Sequence, residues 1–182
     1  MLEVEKKFQP TTEQMNALIS DAEFLGEIVN HDIYYDYNDY RLLKENIRLR
    51  NRNGLFELKI GKSSGVAEEI EDKEEIKKYF NIEESLENFV DSSLSVVMDF
   101  KTNRQKYRKQ EFHIDIDKTS FGYDMCEIEI MVEKEEELKE AEDKIINLAT
   151  KHEFEIKRMN GKGKEYLRVF NPEIYKEIFE KI

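Results

Sequence analysis

Apolar and charged residues alternate with a period of two in at least five stretches of the chain, the signature of strands with one apolar and one polar face. Leu2–Phe8 puts Glu3, Glu5 and Lys7 on one side. Ile47–Arg50 sets two arginines opposite two aliphatics, and Phe56–Ile60 does the same with Glu57 and Lys59. Phe112–Asp117 presents Asp115 and Asp117, and Cys126–Ile130 presents Glu127 and Glu129. Residues 28–37, 94–108 and 66–71 also read as strands, giving about eight with short polar connections, an antiparallel meander.

Helical stretches lie between them. Thr11 with Gln14 three residues on is a capping-box pattern opening a helix over 12–22, and Asp72 with Glu75 opens another over 73–80. Residues 135–152 carry Leu138, Ile145, Leu148 and Ala149 near one stripe, and Pro172 starts a helix over 172–181.

The face that points inward decides the chemistry. A simple sandwich would put the aliphatics in the core. The amphipathic helices, however, need a sheet face to cover. If they cover the aliphatics, the charges line the inside of a closed eight-stranded barrel, a lumen that holds a small ligand. Unpaired buried charges of both signs cost several kcal/mol each. Such a lumen therefore calls for a polyanion on its cations and a metal on its carboxylates.

Composition narrows the function classes. The 182 residues include 29 Lys+Arg and 41 Asp+Glu, a net charge of −12 that argues against general nucleic-acid affinity. The signs come in blocks. Residues 41–62 hold seven cations, Lys62 the last, against Glu45 and Glu57, and residues 111–137 hold ten acids and two lysines. One cysteine, Cys126, excludes an internal disulfide. No apolar run approaches the roughly 20 residues of a membrane span, and no signal segment opens the chain. A cytoplasmic protein of one domain, 1–182, is expected, with no membrane or nucleic-acid partner.

Three acidic pairs, Glu3/Glu5, Asp115/Asp117 and Glu127/Glu129, offer hard oxygen donors that suit Mg²⁺ or Mn²⁺. Lys7, Arg48, Arg50, Lys59 and Arg104 suit phosphate oxygens. Together they equip the chain for phosphoryl transfer. There is no Gly-rich phosphate loop.

These residues resemble the triphosphate tunnel metalloenzymes, the CYTH superfamily. Glu3-Val4-Glu5-Lys6-Lys7 resembles the E-x-E-x-K signature, Tyr34-Tyr35-Asp36 the YYDT segment, Ile47-Arg48-Leu49-Arg50 the LRxR and Phe56-Glu57-Leu58-Lys59 the WELK. Thr102-Asn103-Arg104 is similar to TTR. Asp115 to Asp117, Phe121-Gly122-Tyr123 and Glu127 to Glu129 are similar to VDLD, FGY and EVE. Tyr166 to Pro172 resembles the YLxRFRP of the thiamine-triphosphatase-like branch. The order holds from residue 2 to about 175.

The resemblance implies an α+β fold: an eight-stranded antiparallel closed β-barrel, the triphosphate tunnel, with helices packed outside. It implies a Mg²⁺-dependent triphosphatase acting as a monomer on a small-molecule triphosphate, inorganic or thiamine triphosphate. Asp115, Glu127 and Glu129 would be metal ligands, with Glu3 and Glu5 holding or orienting a metal. Lys7, Arg48, Arg50, Lys59, Arg104 and Lys162 would bind the triphosphate, with Lys164 the rival of Lys162. Glu127 and Glu129 would be catalytic, as would Lys59 if it helps activate water. The branch carries a Trp where this chain has Asn46, which leaves Tyr34 as an aromatic wall and favours inorganic triphosphate at least equally. His31, His113 and His152 read as structural or surface residues, and Cys126 as buried under a helix. A non-catalytic polyphosphate- or nucleotide-binding module, or an adenylate cyclase of the same fold, would use the same charges.

Overall fold

A computed structural model describes residues 2–61 and 67–180; Lys62 and the start of the strand expected over 66–71 lie outside them. The strands are β1 (Leu2–Phe8), β2 (Glu23–Asp36), β3 (Ile47–Arg52), β4 (Leu55–Gly61), β5 (Ala67–Ile70), β6 (Ser95–Lys109), β7 (Phe112–Thr119) and β8 (Met125–Val132). They form one sheet in the order β1-β8-β7-β6-β2-β3-β4-β5. The register runs antiparallel, with Lys7 opposite Glu127, Asp115 opposite Glu127 and Arg48 opposite Lys59.

The eight antiparallel strands are therefore as expected. Among the described residues the order runs from β1 to β5. β5 is four residues long, and each of them pairs with β4.

Seven helices accompany the sheet among the described residues: α1 (Thr12–Ile19), α2 (Arg41–Lys44), α3 (Lys73–Phe80), α4 (Leu86–Ser93), α5 (Leu138–Lys151), α6 (Lys162–Phe170) and α7 (Pro172–Phe179). The Thr11 box closes as read: its hydroxyl accepts from Gln14 N–H at 3.3 Å, and the Gln14 side chain accepts from Thr11 N–H at 2.9 Å. Asp72 accepts from Glu75 N–H at 2.9 Å, and Pro172 sits in the first turn of α7. Asp36 of the Tyr-Tyr-Asp segment has a structural task. Its buried carboxylate accepts from Tyr37, Leu42 and Leu43 N–H at 2.7–3.0 Å and so fixes the entry to α2.

By backbone proximity the chain divides into two units, residues 1–29 with 102–165, and residues 30–101 with 166–182. In the first, Phe8, Phe112, Ile114, Cys126, Ile128 and Ile130 pack beneath Leu18 of α1 and Ala141, Ile145 and Ala149 of α5. In the second, Ile47, Leu49, Phe56 and Leu58 pack beneath Ile76 of α3 and Leu86, Phe89 and Val90 of α4. Each unit thus settles the question of faces in the same way: helices cover the aliphatics, and the ionic residues occupy the opposite face. Among the described residues no helix is long and apolar enough to cross a membrane.

Candidate active site

In the first unit the ionic face gathers Glu3, Glu5 and Lys7 of β1, Glu127 and Glu129 of β8, Asp115 and Asp117 of β7, and Arg104 of β6. Pleating sets them on one side, and the register sets them side by side: Glu5 opposite Glu129, Asp115 opposite Glu127, Arg104 opposite Asp117. Arg104 is the hub. Its Nε and Nη2 donate to the two oxygens of Asp117 at 2.7 and 2.6 Å, and the same guanidinium pairs with Asp115 and Glu127.

Lys162 comes to the same carboxylates. Its Nζ pairs with Asp117 and lies 3.5 Å from Glu127. The Phe-Gly-Tyr segment helps to place it. Tyr123 N–H donates to Thr119 Oγ1 at 2.8 Å, and Tyr123 Oη donates to the Asn160 carbonyl at 2.9 Å, two residues before Lys162. Residues 162–164 start a helix rather than a strand. Tyr166, Leu167 and Phe170 carry the helical spacing that decides this.

The carboxylates do not titrate alike. Burial would raise Glu127, but Lys162, Lys7 and Arg104 outweigh it and hold the group down to about 2. Burial lifts Glu129 to about 7, helped by repulsion from Glu3, Asp115 and Glu5. Burial raises Asp115 against the pull of Arg104. Lys7 is held protonated by Glu5 and Glu127 despite burial, with Glu127 at 3.6 Å.

One histidine joins the set. His113 stands opposite Glu129, its Nδ1 3.5 Å from a Glu129 oxygen, on the face of Asp115. The signal was legible, since residue 113 has the parity of 115 and 117. Lys106, opposite Asp115, is a further cation of this face.

In the second unit Arg50 donates to Glu57 Oε2 at 2.7 Å and to Tyr34 Oη at 3.3 Å, and Arg52 forks onto buried Asp32 at 2.7 and 2.9 Å. Lys59 pairs with Glu69. Tyr34 is buried and stacked on Phe100 at 5.9 Å, which leaves its hydroxyl, not its ring face, as the polar feature. Arg48 differs from its neighbours: its buried Nε has no partner among the described residues. Asn46 is a left-handed turn residue with φ 59°, its carbonyl accepting from Gly61 N–H at 3.0 Å. Asn is at home in that backbone conformation, which accounts for its identity here.

The donor chemistry of the first unit fits a hard divalent cation. All the acidic donors are oxygens, burial and then repulsion from neighbouring acids raise Glu129, and the buried Oδ1 of Asp115 has no hydrogen-bond partner among the described residues. Among the described residues no three His, Cys, Asp or Glu side chains converge on a single point, because Arg104, Lys7 and Lys162 lie between the carboxylates.

Residues 1–159 match the family model described as the CYTH domain. This chain belongs to the CYTH domain family. CYTH proteins are characteristically enzymes that act on triphosphates with a divalent cation. Solved structures share the CYTH fold with this chain. The PH1819 protein of Pyrococcus horikoshii is 23% identical with a TM-score of 0.62, over 87% of this chain and 94% of that one. A Vibrio parahaemolyticus protein classed provisionally as an adenylate cyclase is 21% identical with a TM-score of 0.64, over 93% and 99%. A Hippeastrum adenylyl cyclase candidate, described as having a dominant triphosphatase activity, is 16% identical with a TM-score of 0.52, over 87% and 91%.

Proposed function

We propose that this CYTH protein hydrolyses the terminal phosphate of a triphosphate, inorganic triphosphate or thiamine triphosphate, with Mg²⁺ or Mn²⁺. The observation that carries the reading is the interleaving of Lys7, Arg104 and Lys162 with Glu127, Asp115 and Asp117 on one sheet face. Such a lattice is self-neutralised without ligand, and a polyanion and a cation would together replace its internal pairs.

Asp115, Glu127 and Glu129 would hold the metal, with Glu3 and Glu5 beside them. When bound, it would neutralise phosphate oxygens and polarise the bond to the leaving group. Arg104 would release carboxylates to take phosphate oxygens in a two-pronged contact, and Lys7 and Lys162 would act as point charges. Arg48, Arg50 and Lys59 supply further phosphate-binding cations. The similarity to a protein described with dominant triphosphatase activity supports hydrolysis over cyclisation.

The test is phosphate release from inorganic triphosphate, thiamine triphosphate and ATP, each with Mg²⁺ and Mn²⁺, against E127A and E129A. Release abolished in both variants supports the reading. Cyclic AMP formed from ATP would replace it with a cyclase, and tight binding without turnover would replace it with a binding module.

A further inference from the structure

The first seven residues of β2, Glu23–Val29, are unburied, and their alternation breaks. Arg108 donates to Glu23 at 2.6 Å, so Glu23 lies on the ionic face that Arg108 shares with Arg104 and Lys106. Phe24 lies on the other, helix-covered face, its ring 5.2 Å from that of Tyr107, which packs on the helix-covered core. Leu25 therefore returns to the ionic face.

Three residues after Phe24, Glu27 accepts from Asn103 at 2.7 Å and Gln105 at 3.1 Å, both in phase with Tyr107. Phe24 and Glu27 thus share a face across an odd step, which regular pleating forbids. Gly26, at φ 136°, absorbs the extra residue as a bulge. The consequence falls on Ile28. Strict alternation would put Leu25 and Ile28 on opposite faces, whereas the bulge puts both on the ionic face beside Arg104, Lys106 and Arg108. Each is 46% exposed.

We propose that Leu25 and Ile28 form an apolar subsite for the organic part of the substrate, a flat heteroaromatic group carried on the triphosphate, and so set the preference for organic over inorganic triphosphate. The proposal rests on the triphosphatase reading. Two aliphatics in a row of cations give nothing to inorganic triphosphate, which has no apolar surface to bury. A ring whose phosphates lie on Arg104 and Lys106 covers them.

The experiment compares wild type with Leu25→Ser/Ile28→Ser and with the conservative Ile28→Val, using ATP and inorganic triphosphate with Mg²⁺. Turnover and calorimetric binding are measured for each, and circular dichroism checks the fold. The expected result is a loss of about 10-fold or more in kcat/KM and affinity for ATP in the double variant, with inorganic triphosphate unchanged and Ile28→Val close to wild type. Equal losses on both ligands, or none on either, would overturn the subsite. If the wild type hydrolyses neither ligand, the triphosphatase reading falls, and the same ATP-against-triphosphate contrast in binding still decides the subsite.

Discussion

Glu127 and Glu129 stand two residues apart on one face of β8, and their surroundings drive them in opposite directions. Three cations hold Glu127 at about 2 against the effect of its burial, while burial and three acids lift Glu129 to about 7. Both start from 4.5, so each leaves its own mark on stability. Folded Glu129 keeps a proton that the unfolded chain has given up. Its contribution is complete below about 4.5 and is lost as pH rises through about 7. Glu127 works the other way: its contribution is complete above about 4.5 and is lost as pH falls toward about 2. Denaturant midpoints in chelator should decline from pH 4.5 to 7.5 by an amount that E129Q removes. E127Q should leave that decline intact and flatten the acid limb.

Arg104 touches three carboxylates, so its removal leaves Asp115, Asp117 and Glu127 to repel one another at close range. Breaking a buried ionic cluster from one side costs roughly 3–5 kcal/mol. R104A should melt well below wild type in chelator. Mg²⁺ should then raise its melting temperature by more than it raises that of wild type, because the cation substitutes for the lost guanidinium. Equal Mg²⁺ increments in the two proteins would separate the acid cluster from metal binding.

What the sequence made legible is what strand alternation and helix caps encode. Glu3, Glu5, Lys7, Arg104, Asp115, Glu127 and Glu129 share one face because pleating is a local rule, and Thr11, Asp72 and Pro172 start helices by local hydrogen bonding or a fixed φ. Three features escaped it. Helix α4 has no counterpart in the sequence reading: Ser85 caps it by accepting from Asn88 N–H at 3.2 Å, but its Phe89-Val90 pair suits a strand equally well. Helix α6 has no counterpart in the sequence reading, which weighs Lys162 and Lys164 only as rivals for the triphosphate. The bulge at Gly26 shows only through cross-strand partners more than seventy residues away in sequence, Glu27 with Asn103 and Gln105. The pairing of phosphate-binding candidates with acids, Arg50 with Glu57 and Lys59 with Glu69, likewise depends on register that no single strand contains.

Cys126 is fully buried beneath the helix-covered face, and burial pushes its thiol well above the usual range, with Glu127, Asp115 and Asp117 adding to the effect. The thiolate is the reactive form. A small thiol reagent at pH 8 should therefore leave the native protein unmodified for as long as it stays folded and label one site on addition of denaturant. Labelling of the native protein at the denatured rate would contradict that burial.

Tyr123 ties its own strand connection to the carbonyl of Asn160, and Asn160 in turn donates to Glu165 at 3.0 Å. Removing the hydroxyl frees the turn that delivers Lys162 without touching any carboxylate of the ionic face. Y123F should lower stability by about 1 kcal/mol, as one lost hydrogen bond does. It should also raise KM for triphosphate while leaving kcat within a few-fold. A K162A background should abolish the KM effect of Y123F, since the hydroxyl then has no ammonium to position; a full KM effect in that background would show that Tyr123 acts by another route.

Arg48 and Arg50 alternate with aliphatics on β3, and Arg50 holds Glu57, Tyr34 and Asp32. The buried Nε of Arg48 lacks a partner among the described residues, a donor withheld from the fold's own network. The two arginines should therefore separate stability from binding. R50A strands Glu57 and lowers the melting temperature. R48A removes a donor that has no partner among the described residues and stays within about 0.5 kcal/mol of wild type. The affinity of R48A for inorganic triphosphate should fall by about 10-fold or more, the loss of one hydrogen bond to a charged group. Calorimetry on both variants beside thermal melts reads the two effects together. R48A that unfolds like R50A, or binds triphosphate like wild type, would place Arg48 in the scaffold instead.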